Sequence, residues 1–281
     1  MKNNYYKSRS LKLFFKSKYH SIKHYKYFKV YDHLFSKFIN KKITFVEVGI
    51  LNGGSLEIWR NFFGNKARII GVDLNPECKK FEKNGIEIYI GDQSDKKFWH
   101  DFFKKIGKVD IVLDDGGHTN KQQITTAISA IPQINDNGMF VCEDTHTSYL
   151  EEFNNPNKYS FVEFTKKCID DINFTFPNLN KFIFSLNKYI YSIQTFESIV
   201  CFHISKKDSF TNSTVYNNKI KSNITDYRYG PAILKTQKDT FIFNKIPLLK
   251  KIIFIFFNYL SLKKKKNLNR ELDKENRIYF D

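Results

Sequence analysis

The sequence predicts one open α/β sheet of seven strands, mostly parallel, with helices on both faces and an antiparallel last strand. Two observations predict it. Between residues 43 and 172, short apolar runs alternate with segments of helical period, which is the pattern of strand–helix–strand units. Residues 189–194 and 198–204 then alternate apolar and polar side chains around a short turn, as in a closing hairpin. The chain of 281 residues is long enough for one such domain with extensions.

The first predicted strand, residues 44–49, ends in a glycine-rich turn that reaches Ser55. Apolar side chains at helical spacing follow it up to Phe63. Glycine allows close approach of the backbone to a ligand, and the free N–H groups at a helix start favour negative charge. Many α/β proteins carry a similar turn, so the turn predicts a ligand seat only together with the residues that follow.

Asp73 ends the second predicted strand, residues 67–73, roughly 20 residues beyond the glycine turn. In nucleotide-binding α/β folds an acid at this position accepts hydrogen bonds from ribose hydroxyls. An isolated Asp at a strand end more often caps a helix, and Asn75-Pro76 begins a short helix here. The glycine turn favours the ribose interpretation.

The third predicted strand, residues 86–91, leads to Asp92 and Gln93, which could hold an adenine edge. A simpler interpretation is that Ser94 or Asp95 caps the next helix. The two interpretations use different residues and are compatible.

Carboxylates follow two consecutive strands, residues 109–114 and 139–142, the second of which comes after a predicted Asn137-Gly138 turn. The first strand leads to Asp114-Asp115 and the second to Glu143-Asp144. Ligands of parallel sheets bind at the carboxyl ends of the strands, where these four acids would meet. Their mutual repulsion is costly without a counter-charge, and oxygen ligands suit Mg²⁺ or a similar hard ion. The sequence therefore predicts a divalent-cation site.

Further elements are predicted from local signals. Thr119 and Gln122 form the pattern of a capping box that opens a helix through Ile131. Residues 159–172 have helical periodicity.

The positive charge is concentrated in the flanks of the chain. Residues 1–42 contain 12 Lys or Arg and one acid, whereas residues 43–244 contain 24 basic and 24 acidic side chains. In residues 1–42, one helical stripe is aromatic or aliphatic: Tyr25, Phe28, Tyr31, Leu34, Phe35 and Phe38. This pattern favours a helical segment docked on the domain with a solvated lysine face, and the alternative is a patch for an anionic membrane or nucleic acid.

The sequence divides into residues 1–42, a domain of residues 43–205, and a polar and basic extension of residues 206–281. Within the extension, residues 246–260 are apolar but contain Lys250 and Lys251, and Lys263 to Lys266 follow. The run is shorter than the roughly 20 apolar residues that span a bilayer. We expect either a basic amphipathic helix on an anionic membrane or a helix packed on protein.

Four scattered cysteines give neither a zinc motif nor a disulfide framework, and the N-terminus lacks the apolar core of a signal peptide. The simplest expectation is a cytoplasmic protein, and the alternative is one that is peripheral at the inner face of the membrane.

Together these motifs resemble a known family. The glycine turn, Asp73, the tip at residues 91–93 and Asp114 are similar to the S-adenosylmethionine (SAM) sites of class I methyltransferases, which have a Rossmann-like fold. The pairing of residues 114–118 (DDGGH) with residues 143–149 (EDTHTSY) is more specific. It resembles metal-dependent sugar O-methyltransferases typified by mycinamicin VI 2''-O-methyltransferase, together with related polysaccharide and macrolide-sugar enzymes.

The resemblance implies roles for individual residues. Magnesium would be bound by Asp115, Glu143 and Asp144, and His118 would be the general base. The implied SAM-binding residues are Glu47, Gly49, Asn52, Gly53, Ser55, Asp73, Asp92, Gln93 and Asp114.

The expected activity is SAM-dependent and divalent-metal-dependent O-methylation of a sugar hydroxyl on a glycan, a nucleotide sugar or a glycosylated natural product. One alternative is an RNA ribose methyltransferase with a basic arm. Base N-methylation is disfavoured because residues 114–117 lack the Asn/Asp-Pro-Pro-aromatic motif, and nucleic acid is not the favoured partner. Another alternative is a non-catalytic scaffold at a membrane glycan complex. Self-association of the chain is left open.

Overall fold

A computed structural model of the protein describes residues 7–155, 157–175, 184–215 and 217. The chain divides into two compact units, residues 1–214 and residues 215–281. The strands, helices and cavity belong to the first unit. The predicted amphipathic segment at residues 246–260 lies outside the described residues, as does most of the predicted extension.

Seven strands form one sheet in the order β3-β2-β1-β4-β5-β7-β6. Strands β1 to β5 are mutually parallel, β7 pairs antiparallel with β5, and β6 pairs antiparallel with β7. This arrangement confirms the predicted fold class. The strands are β1 Thr44–Val48, β2 Arg68–Asp73, β3 Ile86–Ile90, β4 Val109–Asp114, β5 Ile134–Cys142, β6 Ile190–Phe196 and β7 Ile199–Ile204.

The helices of the described residues cover both faces of the sheet. They are α1 Arg9–Lys16, α2 Tyr27–Phe35, α3 Gly54–Phe63, α4 Lys96–Ile106, α5 Asn120–Ala130 and α6 Phe161–Phe174. One apolar core joins α1, α2 and α3 to the sheet, and a second joins α4, α5 and α6 to the opposite face. Alternate side chains of each strand enter alternate cores, as the pleat requires.

Helix α2 is part of the first core, as the docking interpretation of residues 1–42 expects. Four members of the predicted stripe are at most 3% exposed, whereas Tyr25 at its start is 47% exposed. Asp32 accepts hydrogen bonds from the backbone N–H groups of Arg9 and Ser10 at 2.7 and 3.0 Å, and this pair of bonds joins α2 to the start of α1. The buried stripe residues are Phe28, Tyr31, Leu34 and Phe35.

Several predicted caps are present. Asp95 accepts from the N–H of Lys97 at 2.8 Å and so begins α4, while Thr119 and Gln122 form a capping box at the start of α5. These caps use Asp95 and Thr119 themselves. The polar residues just before each cap, at the ends of β3 and β4, are therefore not needed for capping.

Strand β5 differs from its prediction. The Asn137-Gly138 turn, predicted to precede the strand, lies inside it, because the strand begins at Ile134. Val109 of β4 pairs with Ile134, yet Ile111 pairs with Met139, so β5 accommodates extra residues between the two pairs. Asn137 has φ +67°, a conformation that Asn tolerates better than most residues. The local sequence predicts a turn at Asn137-Gly138, but the place of these residues within the strand depends on the pairing with β4.

In the part of the chain that the structure describes, every helix is too short or too polar to cross a bilayer.

Candidate active site

A cavity of about 580 Å³ opens at the carboxyl ends of β1 to β5. This volume lies in the range of small-molecule sites, and the edge of the sheet is where open α/β folds bind ligands. Its wall is formed by the residues that follow each strand and by His20, Ser21 and Ile22, which precede α2. Six of the nine predicted cofactor residues line it: Gly49, Asn52, Ser55, Asp73, Asp92 and Gln93.

Asp73 fixes the glycine turn beside the cavity. Its Oδ2 accepts hydrogen bonds from the N–H groups of Ile50 and Leu51 at 2.9 and 3.3 Å, and its Oδ1 accepts from the N–H of Asn75 at 2.9 Å. The carboxylate therefore organises two loops while it stands on the cavity wall. A carboxylate has about four lone-pair positions, so it can accept further hydrogen bonds from a ligand.

Gly49 lies where the ends of β1 and β4 meet. Its φ is +83°, and a Cβ built on it would lie 2.0 Å from the carbonyl oxygen of Asp115. Both the left-handed backbone and the close approach exclude a side chain. The turn after β1 can thus lie directly against the loop that carries the candidate metal ligand.

Three predicted cofactor residues, Glu47, Gly53 and Asp114, are not on the cavity wall. Glu47 is fully buried and accepts hydrogen bonds from the Ser55 hydroxyl at 2.7 Å and from the Trp59 indole N–H at 3.0 Å. Its role here is to join β1 to α3. Burial raises the pKa of Glu47 to about 7 against the opposing effects of a lysine and of these two hydrogen bonds.

Asp114 is 1% exposed and holds the polar residues around it in place. Its Oδ1 accepts from the Gln93 side-chain amide at 3.0 Å and from the N–H of Gly116 at 3.2 Å. Burial raises the pKa of Asp114 to about 6, although the bond from Gln93 opposes the shift. Asp114 thus supports Gln93 instead of facing the cavity itself.

Backbone pairing places the predicted metal ligands side by side. The N–H of Asp115 donates to the carbonyl of Val48 at 2.9 Å, and the N–H of Glu143 donates to the carbonyl of Asp114 at 2.8 Å. These bonds continue the β1–β4 and β4–β5 ladders one residue past the strands. The acids after β4 and β5 must therefore meet at one edge of the sheet.

The cation within this acidic cluster is Lys23, from the segment between α1 and α2. Its Nζ donates to Oδ2 of Asp115 and to Oε2 of Glu143, the latter at 2.9 Å, and lies 3.9 Å from Oε1 of Glu47. The Lys23 side chain is 4% exposed. Burial alone would lower the pKa of Lys23, but the three carboxylates outweigh it and raise this pKa above its ordinary value.

Two tyrosines of α2 complete the contacts of the acids. Tyr31 donates its hydroxyl to Oε1 of Glu143 at 2.7 Å, and Tyr27 donates to Oδ1 of Asp144 at 2.5 Å. Both tyrosine rings are buried in the core beneath the cluster. Each residue thus packs as a core aromatic and satisfies a carboxylate with its polar end.

His118 lies on the cavity wall with its Nε2 3.4 Å from Oδ2 of Asp144. Its backbone has φ +59°, and its carbonyl accepts hydrogen bonds from the Thr147 hydroxyl at 2.9 Å and the Asn155 side-chain amide at 3.1 Å. Its Nδ1 is buried without a hydrogen-bond partner among the described residues. The left-handed backbone is therefore held by specific contacts that present the imidazole to the cavity.

Two groups among the described residues have ligand atoms within 4.8 Å of one another, close enough for one metal ion. They are Asp115, His118 and Asp144, and His24, Asp144 and His146. The first group contains two of the three predicted ligands. The third, Glu143, is 1% exposed and lies behind the cavity wall, bonded to Lys23 and Tyr31.

Sequence reasoning missed Lys23, Tyr27 and the polar role of Tyr31. Lys23 is one of 12 basic residues in residues 1–42, and nothing in its local pattern distinguishes it. Tyr31 carried a usable signal, because a tyrosine on a buried helical stripe needs a hydrogen-bond partner for its hydroxyl. That requirement could have linked α2 to the acidic strand ends.

Comparison with known proteins identifies relatives of this chain, although no protein-family model matches it. It is 30% identical over 157 residues to 8-demethyl-8-alpha-L-rhamnosyl tetracenomycin-C 2'-O-methyltransferase of Streptomyces olivaceus, covering 52% of this chain and 41% of the relative. It is 32% identical over 130 residues to mycinamicin VI 2''-O-methyltransferase of Micromonospora griseorubida, covering 44% and 32%. The matched segment is thus less than half of either relative.

A solved structure shares the architecture. It is the MycE methyltransferase of the mycinamycin biosynthetic pathway in complex with Mg, SAH and mycinamycin VI. It superposes with a TM-score of 0.65 at 22% identity, covering 82% of this chain and 58% of that one. The chain has a methyltransferase fold. Within the methyltransferase fold, the cavity, the glycine turn and the acidic strand ends lie at the ligand-binding edge of the sheet.

The contact between Gly49 and Asp115 predicts a large effect of a single methyl group. Gly49→Ala should lower the free energy of unfolding by about 1–3 kcal/mol more than Gly107→Ala does, because only Gly49 meets backbone atoms. Gly107 is a matched control, since its φ is +81° but its Cβ would meet nothing within 4 Å. Urea denaturation followed by tryptophan fluorescence measures both. Equal losses of unfolding free energy in the two variants would show that the turn after β1 and the loop after β4 can move apart without destabilising the protein.

Proposed function

We propose that this chain is a SAM-dependent and divalent-metal-dependent O-methyltransferase that acts on a sugar hydroxyl of a glycan, a nucleotide sugar or a glycosylated natural product. The observation that carries the proposal is the convergence of Asp115, Asp144 and His118 on one cavity at the ligand-binding edge of a methyltransferase fold. Two relatives support it by their names, one of which specifies a rhamnosyl group methylated at a 2'-oxygen.

The cavity residues suit SAM. In this proposal Asp73 accepts hydrogen bonds from the ribose hydroxyls, the turn at Gly49 passes close to the amino-acid part, and Asp92 and Gln93 contact the adenine. The absence of a Cβ at Gly49 lets this turn pack directly against the backbone of Asp115 and Gly116. SAM supplies an electrophilic methyl group on a sulfonium.

The donor set also suits a hard divalent ion. Asp115 and Asp144 are each 19% exposed at their side chains and line the cavity, so their oxygens are available to an ion there. Mg²⁺ is often held by one or two carboxylates together with water and ligand oxygens. A bound divalent ion lowers the pKa of a coordinated hydroxyl and fixes its orientation. MycE in its solved complex contains Mg and SAH, which supports the same pairing here.

His118 is the proposed general base. Its Nε2 lies 3.4 Å from Oδ2 of the candidate metal ligand Asp144, so an acceptor hydroxyl held beside that carboxylate would be within reach of the imidazole. The two hydrogen bonds to its carbonyl hold the residue in its left-handed conformation and thereby fix where the proton is received. Positioning of this kind supplies much of the rate when the bond-forming step needs little other chemistry.

The decisive test of the proposal is methyl transfer with and without metal. Full-length protein is incubated with methyl-labelled SAM and a panel of nucleotide sugars and rhamnosides. We expect label on a sugar with Mg²⁺, none after EDTA treatment, and recovery with excess Mg²⁺, because the hydroxyl needs a metal to ionise near neutral pH. Calorimetry with S-adenosylhomocysteine in EDTA checks that the cofactor site survives chelation. Undiminished transfer in EDTA, or transfer to RNA alone, would contradict the proposal.

The role of His118 predicts a selective kinetic defect. His118→Ala should lower the methyl-transfer rate by about 10²–10⁴-fold while S-adenosylhomocysteine still binds, since only the proton acceptor is lost. His100→Ala is the control, because His100 is exposed on α4. Steady-state kinetics and calorimetry measure the two effects. A loss of less than about threefold in rate would remove His118 from the mechanism.

We also propose that the basic flanks contact an anionic membrane surface, as their excess of lysine suggests. Full-length protein should float with vesicles that contain phosphatidylglycerol and not with neutral vesicles. Replacement of Lys263 to Lys266 by Gln should weaken flotation, because each basic residue near such a surface contributes about 1 kcal/mol. Equal flotation of the wild type and the variant would show that Lys263 to Lys266 do not contribute to membrane binding.

A further inference from the structure

Lys23 is the most enclosed cation near the proposed active site. It belongs to the segment between α1 and α2 that also forms part of the cavity wall through His20, Ser21 and Ile22. Its ammonium group contacts carboxylates from the loops after β4 and β5 and lies near Glu47 of β1. Three neighbouring strands are thus tied to one positive charge.

Both carboxylate oxygens of Glu143 have hydrogen-bond partners on the inner side of this cluster. One carboxylate oxygen accepts from Tyr31 and the other from Lys23, at 2.7 and 2.9 Å. The side chain is 1% exposed and does not line the cavity. Asp115 also accepts from Lys23 through its Oδ2, but Asp115 and Asp144 differ from Glu143 because both reach the cavity and have ligand atoms within 4.8 Å of each other and of His118.

We propose that Lys23 is a positioning residue that takes the inner cation position of the carboxylate cluster. It keeps Glu143 out of the coordination of the divalent ion and leaves Asp115 and Asp144 to hold that ion on the cavity side. This inference rests on the metal-dependent activity proposed above. It changes the ligand set implied by the family resemblance from three carboxylates to two.

Electrostatics favours an ammonium that stays in place. Expelling it would leave Glu47, which is fully buried, without the charged partner that the structure gives it. Removing one member of a buried ion pair is strongly unfavourable, because the remaining charge is uncompensated. An ion that approaches from the cavity is repelled by the ammonium and attracted by the outer oxygens of the two aspartates. Asp115 and Asp144 would therefore hold a divalent ion through the oxygens that face the cavity.

Coordination chemistry is compatible with two protein carboxylates. Mg²⁺ keeps several water molecules and is usually bound through one or two carboxylates, with further oxygens from its substrate. With Glu143 withheld, more coordination positions stay open to water and to the hydroxyl groups of an acceptor. Lys23 would in this way determine how many coordination positions of the ion are open to water and to the acceptor.

Mn²⁺ is the probe for the test, and the loss of its free electron paramagnetic resonance signal reports binding without any turnover. Full-length wild type is compared with Glu143→Gln, Asp144→Asn and Lys23→Met. We expect Asp144→Asn to weaken Mn²⁺ binding at least about tenfold and Glu143→Gln to change it less than about threefold, because of these two residues Asp144 is the ligand. Lys23→Met should strengthen Mn²⁺ binding about tenfold, because it frees Glu143 and removes a repelling charge.

The opposite pattern would overturn the inference. If Glu143→Gln weakens Mn²⁺ binding as much as Asp144→Asn, the ion displaces Lys23 and Glu143 is a ligand. If Lys23→Met weakens binding, the lysine has a merely structural role. Thermal unfolding and S-adenosylhomocysteine binding identify a variant that fails to fold, and the milder Lys23→Arg, which should bind Mn²⁺ as wild type does, then replaces Lys23→Met.

The same data separate this inference from the proposed function. Strong Mn²⁺ binding by wild type with methyl transfer that persists in EDTA would defeat only the metal-dependent activity. Metal-dependent transfer with Glu143 as a required ligand would defeat only the role of Lys23. Absence of Mn²⁺ binding in all of the proteins would defeat both.

Discussion

The repulsion among carboxylates at the ends of β1, β4 and β5 is the constraint on which the rest of the site depends. Parallel register forces it, since the ladder hydrogen bonds from Asp115 to Val48 and from Glu143 to Asp114 continue past the strands. Burial makes it severe, because the low dielectric of the interior strengthens each repulsion and penalises each charge. One buried ammonium group and two tyrosine hydroxyls offset this repulsion. They belong to Lys23, Tyr27 and Tyr31.

Because these three residues lie within residues 1–42, the N-terminal segment is part of the site. In sequence, residues 1–42 look like a basic appendage to a neutral domain. In the structure, α2 supplies core aromatics on one side and hydrogen bonds to Glu143 and Asp144 on the other. The apolar packing that fixes α2 therefore also fixes the hydroxyl groups that the acids need. Stability of the first core and geometry of the site are properties of the same helix.

Sequence alone predicted most of the scaffold because its signals are local. Apolar runs predicted every strand boundary to within two residues except the start of β5, and Thr119 with Gln122 predicted the start of α5. Strand ends then identified the acids, because parallel strands present their carboxyl ends together. The Asn137-Gly138 turn was misplaced, since its position within β5 depends on pairing with β4.

Side-chain orientation was harder to predict than position. Glu47 sits at the end of β1 like a cofactor ligand, but the pleat turns it towards Ser55 and Trp59 of α3. The role of Lys23 could not be predicted for another reason. Its hydrogen-bond partners Asp115 and Glu143 lie 92 and 120 residues further along the chain. A residue whose role is to neutralise distant charges has no local pattern, and only the packed fold reveals it.

A tethered lysine and an exchangeable ion suit the two sides of one acidic cluster. The ammonium group is attached to the chain, so the free energy of removing it from water is spent once, during folding, and the inner carboxylates are already oriented when a ligand arrives. A metal ion in the same position would have to be bound anew and would consume the oxygens of Glu143. With the inner charge fixed by Lys23, the outer oxygens of Asp115 and Asp144 face the cavity beside His118, where a hydroxyl group, a proton acceptor and a methyl donor could meet.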